Sequence, residues 1–371
     1  MKQLWLLFAV NALYMFVSGS LYPLLPLYLE ASGVGLVERG LILTAAAAIG
    51  ALSSLFWGYL SDRTGRLRAY VLAGGVGQSI VFLLLAIPQS LYSQIVLYLA
   101  SVFLGSATFT LVMASAGGES DVSGAMGSFW AGGSLGWALG TAVSGQVFDR
   151  FGIQSVFLIS SAVTAFFTVA AIKCARDRAG RREREGRLTF NVKLLALLLL
   201  VFVFICVDVI KNLYIPPHYA YKLGLGAATA MLTLSFTSWL EVPSIIAFGR
   251  LARRVSRWVV FSLSLLLAAL YLAFNCFASN AFHAFALMGF YSLVWGSFSV
   301  SSSALVAELS QSLGTAYGAY NMVFSLANIA APTIASLVMD NLGYNALLTI
   351  FAALSAASSL TAYMYRERKR A

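Results

Sequence analysis

The chain has 371 residues, of which 60% are hydrophobic and only 10% charged, and its mean hydropathy is +0.84. No soluble domain needs that much apolar surface, so the composition specifies a polytopic helical membrane protein. The net charge of +10 would suit nucleic acid, but the cations sit in short loops between apolar stretches, which excludes a nucleic-acid partner and makes the lipid bilayer the surroundings.

Twelve apolar spans follow one another, each long enough to cross a hydrocarbon core of about 30 Å. They are Leu4–Leu29, Gly40–Leu60, Ala69–Ile87, Tyr92–Ser115, Gly124–Phe148, Ile153–Ala171, Leu194–Tyr214, Ala228–Phe248, Trp258–Phe277, Phe282–Ser302, Ala316–Met339 and Ala346–Tyr363. The first is too long for a signal-peptide core and lacks a small-x-small cleavage site, so it reads as a retained helix. It ends in LYPLLPLYLE, with Pro23 and Pro26; span 7 ends in LYIPPHYAY, with Pro216 and Pro217. Proline bends a helix and frees carbonyls, which is tolerated beside a cavity, so these ends are candidates for an outer gate. Tyr22, Tyr28, Tyr214 and Tyr219 belong either to that gate or to an interfacial aromatic belt.

Between spans 2 and 3 lies GYLSDRTGRLR, Gly58–Arg68. Its charges cannot enter hydrocarbon, so it is a short turn on one membrane face. Gly58 and Gly65 allow close approach or a sharp turn. Span 5 carries Gly132, Gly133, Gly136, Gly140 and Gly145, a small-residue stripe suited to close helix packing. After span 6, KCARDRAGRREREGRLTFNVK (173–193) is a charged connector, either a solvated linker or a stretch lying on anionic lipid. An even number of spans puts both termini on one side. With that side cytoplasmic, only Arg39, Arg150, Lys211 and Lys222 of the 24 Lys and Arg fall elsewhere, so both termini are expected in the cytoplasm.

The halves repeat at a single offset of 191. Pro26 falls on Pro217, Gly33 on Gly224, Gly58 on Gly249, Arg66 on Arg257, Gly105 on Gly296, Asp149 on Asp340 and Gly152 on Gly343. The expected organisation is an N-terminal six-helix bundle (1–172), a linker (173–193) and a C-terminal six-helix bundle (194–371). Parallel repeats of this kind suit a carrier whose site lies near the bilayer midplane.

The pattern G-x-x-x-D-R-x-G-R, carried by Gly58, Asp62, Arg63, Gly65 and Arg66, resembles the signature between helices 2 and 3 of the major facilitator superfamily. The second basic position is Leu67 here, with Arg68 one residue later. The resemblance implies twelve transmembrane helices in two pseudo-symmetric bundles, secondary transport by alternating access, and a cytoplasmic gate at these five residues. The glycines of span 5 resemble the helix 5 motif of drug/proton antiporters in the superfamily, except that Trp137 stands where that motif has proline. An arginine that many proton-coupled members carry before the glycine matching Gly105 is also missing, at Ser101 and Val102.

Charges inside spans are costly, at least about 2.5 kcal/mol each at mid-membrane, so Asp208, Lys211 and Glu241 should face a wet cavity or one another. Asp208 and Lys211 share one helix face. They form a structural pair, or Asp208 or Glu241 exchanges a proton, or Lys211 binds an anionic solute. Asp208 is the first choice as proton carrier, with Glu241 second. By analogy with the cavity-lining helices of the superfamily, the substrate-contact candidates are Asn11, Tyr14, Trp130, Trp137, Asn212, Trp239, Tyr291, Trp295, Tyr320, Asn321 and Asn328. An aromatic cavity with few charges suits hydrophobic or cationic solutes. The expected function is proton-coupled export of such a molecule, with uptake of a sugar, metabolite or organic anion as the alternative. Cys174, Cys206 and Cys276 form no metal spacing, and HExxH, GxSxG and the P-loop are missing, so neither an enzyme nor a cofactor is expected. The expected setting is the plasma membrane, and the superfamily default is a monomer.

Overall fold

A computed structural model describes residues 2–116, 122–174, 192–309 and 313–366; most of the connector and the side chains of Asp62 and Trp130 lie outside the described residues. Every regular element among the described residues is helical. In chain order they are α1 (Lys2–Leu21), α2 (Leu24–Ala31), α3 (Leu36–Thr64), α4 (Leu67–Leu85), α5 (Leu91–Ala116), α6 (Val122–Cys174) and α7 (Val192–Leu213). Then follow α8 (Ile215–Pro217) with a π-helical turn His218–Lys222, α9 (Gly226–Arg254), α10 (Arg257–Asn275), α11 (Ala281–Leu309), α12 (Leu313–Leu342) and α13 (Tyr344–Met364).

Eleven stretches are long and apolar enough to cross a membrane, one of them 42 residues long. A helix at 1.5 Å per residue needs only about 20 residues to cross, so the 42-residue stretch accounts for two of the expected spans. Gly152 breaks it, at φ 76° and ψ 175°, between the expected spans 5 and 6. The proline interruptions also fall where the sequence puts them. Pro23 precedes α2. Pro216 and Pro217 form α8, and the turn beyond widens so that the Leu223 N–H reaches the His218 carbonyl at 3.1 Å.

The repeat is visible in the backbone. Gly33 and Gly224 have φ of +79° and +68°, and Gly152 and Gly343 have +76° and +88°. These are left-handed conformations that cost a side-chain-bearing residue, so glycine is required at both copies.

The described residues form two compact units. The first lies within Met1–Val34, Ala45–Glu183 and Gly226–Ser235. Here the span 5 glycines act as packing residues, because a Cβ at Gly132, Gly136 or Gly140 would collide with the carbonyl oxygens of Phe8, Ala12 and Phe16 of α1. Ser20 Oγ donates to the Gly140 carbonyl at 3.2 Å on the same ridge. Around it Leu7, Val10, Leu67, Val71, Phe167 and Ala171 form an apolar core. This unit also holds the start of α9, where Ser235 Oγ donates to the Ala138 carbonyl of α6 at 2.8 Å.

The second unit lies within Gly35–Thr44, Arg184–Leu225 and Phe236–Ala371. It contains the start of α3, whose Thr44 Oγ1 donates to the Ile329 carbonyl of α12 at 2.9 Å. Leu194, Leu198 and Ala319 form part of its core. Tyr214 and Tyr219 are buried here, and their hydroxyls bond the Pro332 carbonyl and Asn275 Oδ1. They therefore serve as internal struts at the end of α7 and do not extend an aromatic belt.

Candidate functional site

Span 7 is apolar on every face, yet three polar residues interrupt it within the last two turns of α7. Asp208 and Asn212 are one turn apart, so the Asn212 amide folds back and donates to Asp208 Oδ2 at 3.0 Å. Lys211 Nζ lies 3.8 Å from Asp208 Oδ1, with side-chain exposures of 7% and 20%. The same amine donates to Asn212 Oδ1 at 3.1 Å.

The neighbouring helix α11 completes the cluster. The Tyr291 hydroxyl donates to Asp208 Oδ1 at 2.8 Å, and its ring lies 4.6 Å beneath the Lys211 ammonium. A tyrosine thus meets both members of the ion pair, through its hydroxyl and through its π face. Tyr271 of α10 packs edge-on against the Tyr291 ring at 4.8 Å. Glu241 of α9 is half-buried and feels the charges of Lys211 and Asp208. Among the described residues no hydrogen bond or ion pair is formed by its carboxylate, whereas Asp208 is held from three directions.

One turn beyond Tyr291, Trp295 begins an aromatic wall. Phe204 and Phe298 stack at 3.6 Å, Trp295 lies 5.7 Å from Phe298, and Phe324 continues to Tyr320 at 4.8 Å. The Tyr320 hydroxyl pairs with Ser302 Oγ at 2.8 Å. Asn328 uses its amide to bond the Phe324 carbonyl of its own helix at 2.9 Å. Trp239 is 54% exposed and Asn321 is exposed, so neither joins the cluster.

The remaining candidates lie in the first unit. Asn11 is buried beside Gly133. Tyr14 packs on Phe167 at 5.6 Å, and Trp137 on Tyr22 at 6.1 Å. In the charged turn, Gly65 (φ +68°) ends α3, Arg63 reaches the Tyr59 hydroxyl at 3.3 Å, and the Arg66 N–H donates to Thr64 Oγ1 at 3.4 Å. Gly58 sits inside α3, and nothing lies within 4 Å of the place a Cβ would take. Its expected role in close approach is therefore not used in this state. The sequence reading missed Tyr271, Phe204 and Phe298. Spacing does carry a trace of the last, since Tyr291, Trp295 and Phe298 recur at helical intervals.

Apolar spanning helices, an internal repeat and a cluster of charges inside the spans describe an integral membrane transporter of small molecules. The sequence model of the Major Facilitator Superfamily matches residues 7–205 and 196–371, and the chain belongs to that superfamily. It is 22% identical over 369 residues to Multidrug resistance protein MdtG of Escherichia fergusonii, covering 94% of this chain and 90% of that one. The MdtG of Citrobacter koseri is 23% identical over 370 residues, at 94% and 91% coverage. Among solved structures, the fold resembles nucleoside transporter NupG (TM-score 0.76, 13% identity, 99% of this chain and 100% of that). It also resembles a POT family transporter in complex with a thioalcohol-conjugated peptide (TM-score 0.81, 13% identity, 98% and 96%). At such identities the structures speak for the fold alone.

Proposed function

We propose that the protein exports hydrophobic or cationic small molecules across the plasma membrane by alternating access, in exchange for protons. Glu241 is the exchanging carboxyl, and Asp208 is its fixed electrostatic partner. The observation that carries this reading is the contrast between the two carboxylates: Asp208 is bonded by Asn212 and Tyr291 and paired with Lys211, while Glu241 stands within reach of those charges. Asp208 has a cation and two donors already committed to it, whereas the Glu241 carboxylate has no such partner among the described residues and is the one left to carry an exchanged proton. Trp295, Tyr320 and Phe324, the part-exposed members of the aromatic wall, supply area for a lipophilic solute. Relatives named multidrug resistance proteins favour the same substrate class. Uptake of an organic anion through Lys211 is less well supported, because its ammonium is engaged by Asp208, Asn212 and the Tyr291 ring. The moving bodies are the halves 1–172 and 194–371, with both termini cytoplasmic, and the working unit is a monomer in lipid.

The test is transport in proteoliposomes with an imposed pH gradient and a panel of lipophilic cations, sugars and organic anions. Gradient-driven cation movement, lost in Glu241→Gln, is expected. Movement that ignores the gradient, or survives that substitution, refutes the assignment.

A further inference from the structure

Two helix crossings in the structure share one register. In the first unit, α6 meets the start of α9: the Ser235 hydroxyl donates to the Ala138 carbonyl at 2.8 Å, and a Cβ at Gly145 would lie 2.7 Å from Met231 Cβ and 3.0 Å from Ala228 Cα. In the second unit, α12 meets the start of α3: the Thr44 hydroxyl donates to the Ile329 carbonyl at 2.9 Å, and a Cβ at Gly40 would collide with the Ser336 side chain. The offset of 191 carries each contact onto the other, with the glycine changing sides. The crossings differ at one rung. Asp149 Oδ2 accepts the Ala228 N–H at 2.9 Å, at the N-terminus of α9. The matching positions are Asp340 and Val37. Asp340 is exposed and, among the described residues, its carboxylate makes no hydrogen bond. The reason is local: α3 caps itself, with Glu38 accepting the Gly35 N–H at 3.3 Å, while α9 has no acidic residue in its first turn.

We propose that Asp149 is a latch that holds the α6·α9 crossing shut, so that both repeated crossings share a hydroxyl bond and close packing, and one of them is fastened by a carboxylate as well. This rests on the alternating-access reading, since α9 contributes Gly226–Ser235 to the first unit and continues from Phe236 in the second. A rocking motion must part this crossing, and in doing so it strips a carboxylate from a helix N-terminus, a favourable charge–dipole contact. On the orientation given by the charge distribution, the latch faces the outside.

The experiment places Ser235→Cys in a chain lacking its native cysteines, reconstituted in liposomes, and follows its reaction with a membrane-impermeant thiol reagent added outside. Ser235 is buried in the crossing, so reaction reports opening. Asp149→Ala should raise the rate about tenfold, the scale of a lost charge-assisted hydrogen bond. Asp149→Asn, which keeps an accepting oxygen but no charge, should fall between. Asp340→Asn should leave the rate unchanged. Retained thermal midpoints identify folded variants. If the pH gradient or a lipophilic cation changes the rate but the Asp149 variants do not, the latch is overturned and alternating access stands. If Asp340→Asn raises the rate as much as Asp149→Ala, surface charge explains the effect and the latch is overturned. A rate fixed under every ligand, gradient and variant overturns alternating access itself.

Discussion

Replacing Gly136 by alanine adds one methyl group where α6 lies on α1. The new Cβ would collide with the Ala12 carbonyl oxygen and approach Ala12 Cα to 2.9 Å. Backbone cannot rotate away as a side chain can, so α1 must move outward and lose contact along the ridge that Gly132 and Gly140 also occupy. Overpacking of this kind costs about 1–3 kcal/mol. Alanine is the better helix former by about 1 kcal/mol, which offsets part of the loss. The same substitution at Gly58 brings the propensity gain without the collision, since nothing lies within 4 Å there. Thermal unfolding in detergent, followed by intrinsic fluorescence, should therefore show Gly136→Ala about 1–3 kcal/mol less stable than Gly58→Ala, and Gly58→Ala equal to or above the parent. A Gly136→Ala protein as stable as Gly58→Ala would refute the view that this stripe is a packing surface. If Gly58→Ala is stable but slow in transport, the glycine of the signature serves another state of the cycle.

Three further outcomes follow from the ion pair and the turns. Asp208→Asn should destabilise the protein by about 3 kcal/mol, because it leaves Lys211 buried without its counter-charge, and the double variant Asp208→Asn/Lys211→Met should recover part of that loss in the same melts. Tyr291→Phe keeps the ring under Lys211 but removes the hydroxyl from Asp208, costing about 1.5–3 kcal/mol of stability measured by denaturant or heat. Gly152→Ala and Gly343→Ala force a side chain into φ of +76° and +88° and should each cost about 1–2 kcal/mol; equal stability to the parent would mean the turns relax freely.

The spans, the proline breaks and the repeat were legible because each has a local cause: apolar length, a missing N–H, or an unusual backbone angle. The offset that pairs Gly33 with Gly224 in sequence pairs two left-handed turns in space. The polar cluster was legible in part. Asp208, Lys211 and Asn212 are close in sequence and share a face, but Tyr291 and Tyr271 reach them only through the packing of α7, α10 and α11. That Asp208 and not Glu241 receives the donors was not visible either, because this depends on the neighbouring helices. The tyrosines at the end of α7 were ambiguous for the same reason, and burial decides for struts.

The two copies of the repeat have diverged in what they do with the same positions. The offset places Asp208, Lys211 and Glu241 opposite Val17, Ser20 and Gly50. Ser20 bonds the Gly140 carbonyl on the packing ridge, and the Gly50 carbonyl accepts Ser54 Oγ at 2.8 Å within α3, so neither position carries charge. Conversely, the glycines at 136 and 140 fall on Ala327 and Ala331 in the second copy, both fully buried. Glycine lets two helix backbones touch, which leaves no room for charge or for the water a charge needs. Alanine at the matching places holds the helices further apart. The tight stripe and the buried ion pair are thus mutually exclusive solutions at equivalent sites.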